Sequence, residues 1–166
     1  MLTSLVGSEM CIRDSVINPA TEEVIGSASK ASSSDVQRAL RSAQKGLKVW
    51  SGTTPWQRSY VLRKIADLMR EKKDILAKWL TLEVGKPLAE GVGEVGGAAD
   101  IFEWNAEETK RIYGQTVQSR FPETRVHVYY QPVGVVAALI PWNFPIVLAA
   151  RKISTALAAG LSLIHI

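Results

Sequence analysis

The chain has 166 residues, 46% hydrophobic and 22% charged, with a formal net charge of +4. That supplies enough apolar material for one packed domain or a piece of a larger one, and the modest charge, spread along the chain, argues against a dedicated nucleic-acid binder. The single cysteine, Cys11, excludes an intrachain disulfide and a multi-cysteine metal site, and His127 and His165 are too scattered for a ligand cluster, so no metal is expected.

Arg151 and Lys152 interrupt the best apolar run before it reaches the roughly 18 residues a membrane helix needs. The first ten residues have no basic region and no sustained apolar stretch, so no signal peptide is expected and the expected location is cytoplasmic.

From Val16 to Lys30, short apolar runs broken by Asn18, Pro19 and Gly26 predict short strands joined by a turn. Ser32 to Asp35 then offers capping hydroxyls and a carboxylate ahead of a helical period running through Leu47. Val36, Ala39, Leu40 and Ala43 fall on one side of that helix; Arg38, Arg41, Lys45 and Lys48 form what reads as its solvated face. Pro55 opens a second helix with Val61, Leu62, Ile65, Leu68 and Met69 on one side. Ile75, Leu76, Trp79 and Leu80 continue in a third, ended by Gly85 and Pro87.

A fourth helix is predicted from Ala89 to Arg111, with Ala98, Ile101, Phe102 and Trp104 apolar and Glu107 placed to pair with Arg111. The period then switches. RVHVYYQ, Arg125 to Gln131, alternates as a half-exposed strand does, and the continuously apolar VGVVAALI, Val133 to Ile140, predicts a strand covered on both faces of a parallel sheet. A helix from Pro145 to Ala159 completes the order strand, turn, helix, and the predicted class is α/β.

GVGEVG, Gly91 to Gly96, matches the spacing of a dinucleotide-binding turn, but the segment before it reads as helix, turn, helix rather than strand. An acidic residue is needed about 20 positions on; Glu108 comes too early and Glu123 too late. Close helix packing accounts better for glycines that cost about 1 kcal/mol each against alanine.

In LIPWNFP, Leu139 to Pro145, each proline biases the residue before it away from helical angles, so Ile140 and Phe144 stay extended and the helix starts at Pro145. Asn143 thus sits just past the carboxyl end of a buried strand, where open α/β sheets bind ligands. Its amide suits it to donate to a developing oxyanion. Spacing alone leaves a second reading open, in which Asn143 caps the helix and Trp142 is a core aromatic.

PWNFP, with PVG upstream, ARK and ALAAG downstream, VINPATEEVIG near the start and LTLEVGKPLAE and AADIFEW between, resembles the amino-terminal part of the aldehyde dehydrogenase superfamily, closest to the succinate-semialdehyde dehydrogenases. The resemblance covers Val16 to Gly160 and implies an NAD- or NADP-dependent enzyme that oxidises an aldehyde through a cysteine thiohemiacetal. It implies Asn143 as oxyanion donor, Ile140, Pro141 and Trp142 as a border of the cofactor, Phe144 in the aldehyde tunnel and Arg151 as the ligand of a distal carboxylate. For Arg151 a surface or interdomain salt bridge is the competing reading. The strand region near residues 115–131 resembles the arm through which such enzymes form dimers or tetramers.

After ALAAG the family pattern leads to a lysine-proline pair at the cofactor ribose and later to the glycine-rich turn, the glutamate base and the nucleophilic cysteine. None of these follows here, so the chain alone is expected to be inactive and, with unfinished sheet edges, to fold poorly or aggregate. Cys11 precedes the first family segment and is not expected to replace the nucleophile. SLVGSEMCIRDS and LSLIHI resemble translated sequencing-adaptor read-through, so residues 1–15 and 161–166 are expected to be foreign to a natural aldehyde dehydrogenase domain spanning 16–160. The rival expectation is a non-catalytic interaction fragment that docks onto a full-length partner through the strand at Tyr129 and Tyr130. A nucleic-acid binder is the weakest.

Overall fold

The computed structural model describes residues 13–165. Its elements run β1 (Arg13–Ile17), β2 (Val24–Ser29), α1 (Ser33–Trp50), α2 (Pro55–Glu71), α3 (Lys73–Val84), α4 (Leu88–Glu108), a 3-10 turn (Thr109–Arg111), β3 (Gln115–Gln118), β4 (Arg125–Val128), β5 (Val135–Ala138), α5 (Pro145–Ala158) and β6 (Ser162–His165). The α/β class is as the sequence predicts. Most of the segment 1–15 and Cys11 lie outside the described residues, whereas Arg13 to Ser15 belong to β1 and Ser162 to His165 form β6.

Local chemistry sets the helix starts. Ser32 caps α1 and Asp35 reaches back to the Ser32 backbone N–H at 2.8 Å, while Thr54 and Gln57 make the same reciprocal box ahead of Pro55 in α2. The Ser32 hydroxyl, then its backbone amide, hold the Asp35 carboxyl below the usual aspartate range. The left-handed turn at Gly85, with φ of 80°, ends α3 and redirects the chain so that Lys86 points inward and Pro87 opens α4.

Helices α2, α4 and α5 build the core: Leu62 and Ala66 meet Ala98, Phe102 and Ala106, with Ala150 and Ala158 closing from α5. The buried stripe of α2 runs Arg58, Ser59, Leu62, Ala66, so Val61 and Leu68, expected inside, are each 38% exposed. Trp104 and Trp79 are likewise exposed. A hydrophobic run gives the period of a helix; which of its flanking positions are covered depends on the width of the neighbouring helix. A polar seam ties α4 to α5, where Asn105 Nδ2 donates to Ser154 Oγ at 2.9 Å and Thr109 Oγ1 to the Ala158 carbonyl at 2.6 Å. Trp50 Nε1 donates to the Leu157 carbonyl at 2.9 Å and docks the end of α1 on the same region.

Glu107 does not pair with Arg111 as its spacing suggests. The helix tightens into the 3-10 turn at Thr109, Arg111 turns to Glu108, and Glu107 joins an exposed lattice with Arg63 and Lys110.

Among the described residues the strands form three two-stranded sheets. β1 and β2 are antiparallel with a bulge at Val16/Ile17, β3 and β4 form an exposed antiparallel hairpin, and β5 and β6 are parallel, joined through α5. β4 stops at Val128 because its ladder with β3 ends at Gln115, which leaves Tyr129, Tyr130 and Gln131 outside the strand. The run expected to be covered on both faces yields only Val135 to Ala138 as strand; with β6 its sole described partner, Ala137 and Leu139 are exposed.

The glycines of GVGEVG lie inside α4, not at a strand-to-helix turn. Only Gly91 permits close packing: a Cβ there would stand 3.0 Å from the Ala77 carbonyl oxygen of α3, whereas Gly93 and Gly96 have nothing within 4 Å.

Candidate functional site: the turn between β5 and α5

The turn Leu139 to Phe144 leaves the carboxyl end of β5, and α5 begins at Pro145; Phe144, at φ −138° and ψ 65°, is non-helical as the following proline requires but not fully extended as expected. Ile140 is half-buried, whereas Pro141, Trp142, Asn143 and Phe144 are exposed, Trp142 at 78%. Trp142 is therefore no core aromatic. Among the described residues the Asn143 side chain makes no hydrogen bond, so it does not cap α5, and its amide is open to an incoming group.

The cap comes from elsewhere. Glu94 Oε1 accepts from the backbone N–H groups of Ile146 at 2.9 Å and Val147 at 3.1 Å, and its other oxygen pairs with Lys86 Nζ. Lys86 Nζ also donates to the Asn143 carbonyl at 3.1 Å and lies 4.3 Å from the centre of the Phe144 ring. Both charged side chains are buried, Glu94 to 1% exposure. A carboxylate at a helix amino terminus meets both the unpaired amides and the positive end of the helix dipole. The Lys86 ammonium then balances its charge where solvent cannot.

This network decides what α5 can bind. Pro145 has no N–H, Ile146 and Val147 donate to Glu94, and Leu148 donates to the Phe144 carbonyl at 3.0 Å. No first-turn donor is left for a phosphate. Pro141 and Trp142 are exposed beside half-buried Ile140 and present apolar surface just past the carboxyl end of β5.

Arg151 is exposed in the second turn of α5 and has no salt-bridge partner among the described residues. It lies about 9 Å along the helix axis from Pro145, taking 1.5 Å per residue.

Sequence reasoning missed Lys86 and Glu94. Glu94 lies inside the rejected glycine motif, on one helical stripe with the buried Gly91, Val95 and Ala98. A carboxylate on a buried stripe needs partners, and that was the available signal. Arg58 was also hidden in an amphipathic pattern: it is 9% exposed, donates to the Thr53 carbonyl at 2.8 Å, and burial pushes its guanidinium pKa down.

A parallel strand, a rigid turn presenting an amide at its carboxyl end and a returning helix are the features of an α/β enzyme site. The model of the aldehyde dehydrogenase family matches residues 9–165, and this chain belongs to that family. It is similar to the glutarate-semialdehyde dehydrogenase of Pseudomonas putida, 48% identical over 149 residues, 90% of this chain and 31% of the relative. The NADP(+) succinate-semialdehyde dehydrogenase of Escherichia coli K12 is 44% identical over the same share of this chain and 31% of its own. A solved aldehyde dehydrogenase from Brucella melitensis biovar abortus superposes with a TM-score of 0.92 at 43% identity, covering 93% of this chain and 32% of that one. The chain thus spans about a third of the length of the curated relatives it matches. Among the described residues no helix is long and apolar enough to cross a membrane.

Proposed function

We propose that this chain is the amino-terminal part of a cytoplasmic, NAD- or NADP-dependent dehydrogenase that oxidises a semialdehyde such as succinate semialdehyde to the acid through a cysteine thiohemiacetal. The observation that carries the reading is the exposed, unengaged Asn143 amide on a turn fixed at both ends by prolines and from below by Lys86 and Glu94. An amide held in place before charge develops stabilises an oxyanion without reorganising at the moment of reaction. Asn143 is therefore the oxyanion donor, Phe144 borders the aldehyde, and Ile140, Pro141 and Trp142 border the cofactor. The bound dinucleotide supplies the hydride acceptor. Arg151, exposed and without a described partner, meets the distal carboxylate of the substrate, for which a guanidinium fork is suited.

The nucleophile, the base and the glycine-rich cofactor turn belong to other parts of such an enzyme, so the chain alone is inactive. The strands β3 and β4, exposed at every residue, are the surface for assembly into a dimer or tetramer.

The test is a chimera in which residues 16–160 replace the matching segment of the E. coli succinate-semialdehyde dehydrogenase. It is expected to oxidise semialdehydes, and Arg151→Ala is expected to raise KM for them about tenfold or more while leaving uncharged aldehydes within about twofold. A chimera that folds and binds dinucleotide but oxidises no aldehyde contradicts the reading. The exposure of Tyr129 at 76% and Tyr130 at 63% favours a second reading, a non-catalytic fragment that docks onto a full-length partner. Mixed oligomers formed when the chain is added to an intact homologue would support it.

A further inference from the structure

We propose that Lys86 and Glu94 are positioning residues for aldehyde oxidation, a buried cation and carboxylate that fix the direction in which the Asn143 amide is presented. This rests on the reading of Asn143 as oxyanion donor and adds the two residues that hold it there.

The network alternates in charge from end to end. The positive start of α5 meets Glu94, Glu94 meets Lys86, and Lys86 meets the Asn143 carbonyl and the negative face of the Phe144 ring. One side of the turn is thereby tied by the carboxylate to the helix start, and the peptide joining Asn143 to Phe144 is tied by the ammonium. Holding that peptide narrows the backbone orientations from which the Asn143 side chain can be presented. The two clamps come from outside the turn: Lys86 from the α3–α4 junction and Glu94 from within α4, 57 and 52 residues away in the chain from their backbone partners. The helical core thus sets the turn's geometry.

The roles of the two residues can be separated by substitution. Glu94→Gln keeps an oxygen acceptor for Ile146 and Val147 but removes the ion pair; Lys86→Met keeps the carboxylate cap but removes the ion pair and also releases the Asn143 carbonyl. Glu94→Ala removes both.

The experiment uses the chimera described above, with residue-resolved hydrogen exchange at Ile146 and Val147 read alongside kcat and KM. Glu94→Ala is expected to speed exchange at these two amides about tenfold or more, beyond any change in α2. Lys86→Met is expected to lower kcat about tenfold or more with KM within about threefold, the pattern of a loss felt mainly in the transition state. Glu94→Gln should restore the exchange protection but only part of kcat. Leu62→Ala, in the core and away from the turn, should lower the melting temperature while moving neither readout selectively.

Unchanged exchange at Ile146 and Val147 in folded Glu94→Ala overturns the proposal, as does a kcat in Lys86→Met that falls no further than in Leu62→Ala. If Glu94→Ala does not fold, Glu94→Gln and Lys86→Arg decide: kcat equal to that of the unsubstituted chimera in both overturns it, and a graded loss with retained protection supports it. An unsubstituted chimera inactive with every aldehyde would sink the functional reading, while the exchange comparison would still judge the clamp.

Discussion

In the helical layer, Leu62, Ala66, Ala98 and Ala106 are completely buried against one another, whereas every residue of β3 and β4 is exposed and β5 has a single partner strand among the described residues. The helices close a core from their own side chains; the strands present edges and faces that other surfaces would complete. The turn bearing Asn143 lies on the seam between the two. By sequence it belongs to β5 and α5, yet its anchors, Lys86 and Glu94, belong to the helical layer. A site at the edge of an open sheet is made rigid by borrowing from the part of the molecule that is already packed.

The sharpest way to break this comparison is to remove one charge from the seam. Lys86→Met leaves Glu94 buried without its counter-ion and is expected to destabilise by about 3–5 kcal/mol. Arg63→Ala, which removes pairs to Glu103 and Glu107 on the exposed face of the same layer, is expected to cost about 1 kcal/mol or less. Urea unfolding of the two variants in the chimera measures both, and equal losses would mean that burial of the Lys86 pair contributes nothing.

The next contrast sets core against strand. Leu62→Ala at a fully buried position is expected to cost about 2–5 kcal/mol, and Val126→Ala on exposed β4 under about 1 kcal/mol. A smaller pair lies within α4. Gly93→Ala is expected to stabilise by up to about 1 kcal/mol, since helix propensity rises and nothing lies within 4 Å of the new Cβ. Gly91→Ala pushes a Cβ against the α3 backbone at Ala77 and is expected to destabilise, which thermal melting resolves by sign.

The smallest effect concerns pH. Because the folded-state pKa of Asp35 is lowered from 3.8, its contribution to α1 is present above that value and is lost as pH falls through the lower folded-state value. Amide protection at the start of α1, measured relative to the intrinsic exchange rate at each pH, should therefore fall on acidification below the ordinary aspartate range, and Asp35→Asn should remove that dependence.

How much was legible in the sequence follows the same division. Helix boundaries were readable where their causes are local: the Ser32 to Asp35 cap, Pro55, Gly85 and the pair Pro141 and Pro145 each act within a few residues. The family was readable from PWNFP and its flanking segments. Strand lengths were not, because Tyr129 to Gln131 have good β propensity but no partner past Gln115. Lys86 and Glu94 escaped because nothing near them in sequence marks their target. Only folding α4 beside α5 brings a carboxylate from a glycine-rich stretch to the amides of Ile146 and Val147.

The central claim, that Asn143 is a fixed donor to the developing oxyanion, is tested most directly by a single turnover. Chimera saturated with dinucleotide is mixed with succinate semialdehyde and the first burst of reduced nicotinamide is followed by absorbance, with Asn143 intact and with Asn143→Ala. A burst about 100- to 1000-fold slower in the variant, at similar dinucleotide affinity, is the predicted result. A burst of unchanged rate would contradict the account and leave PWNFP as a strand-to-helix turn.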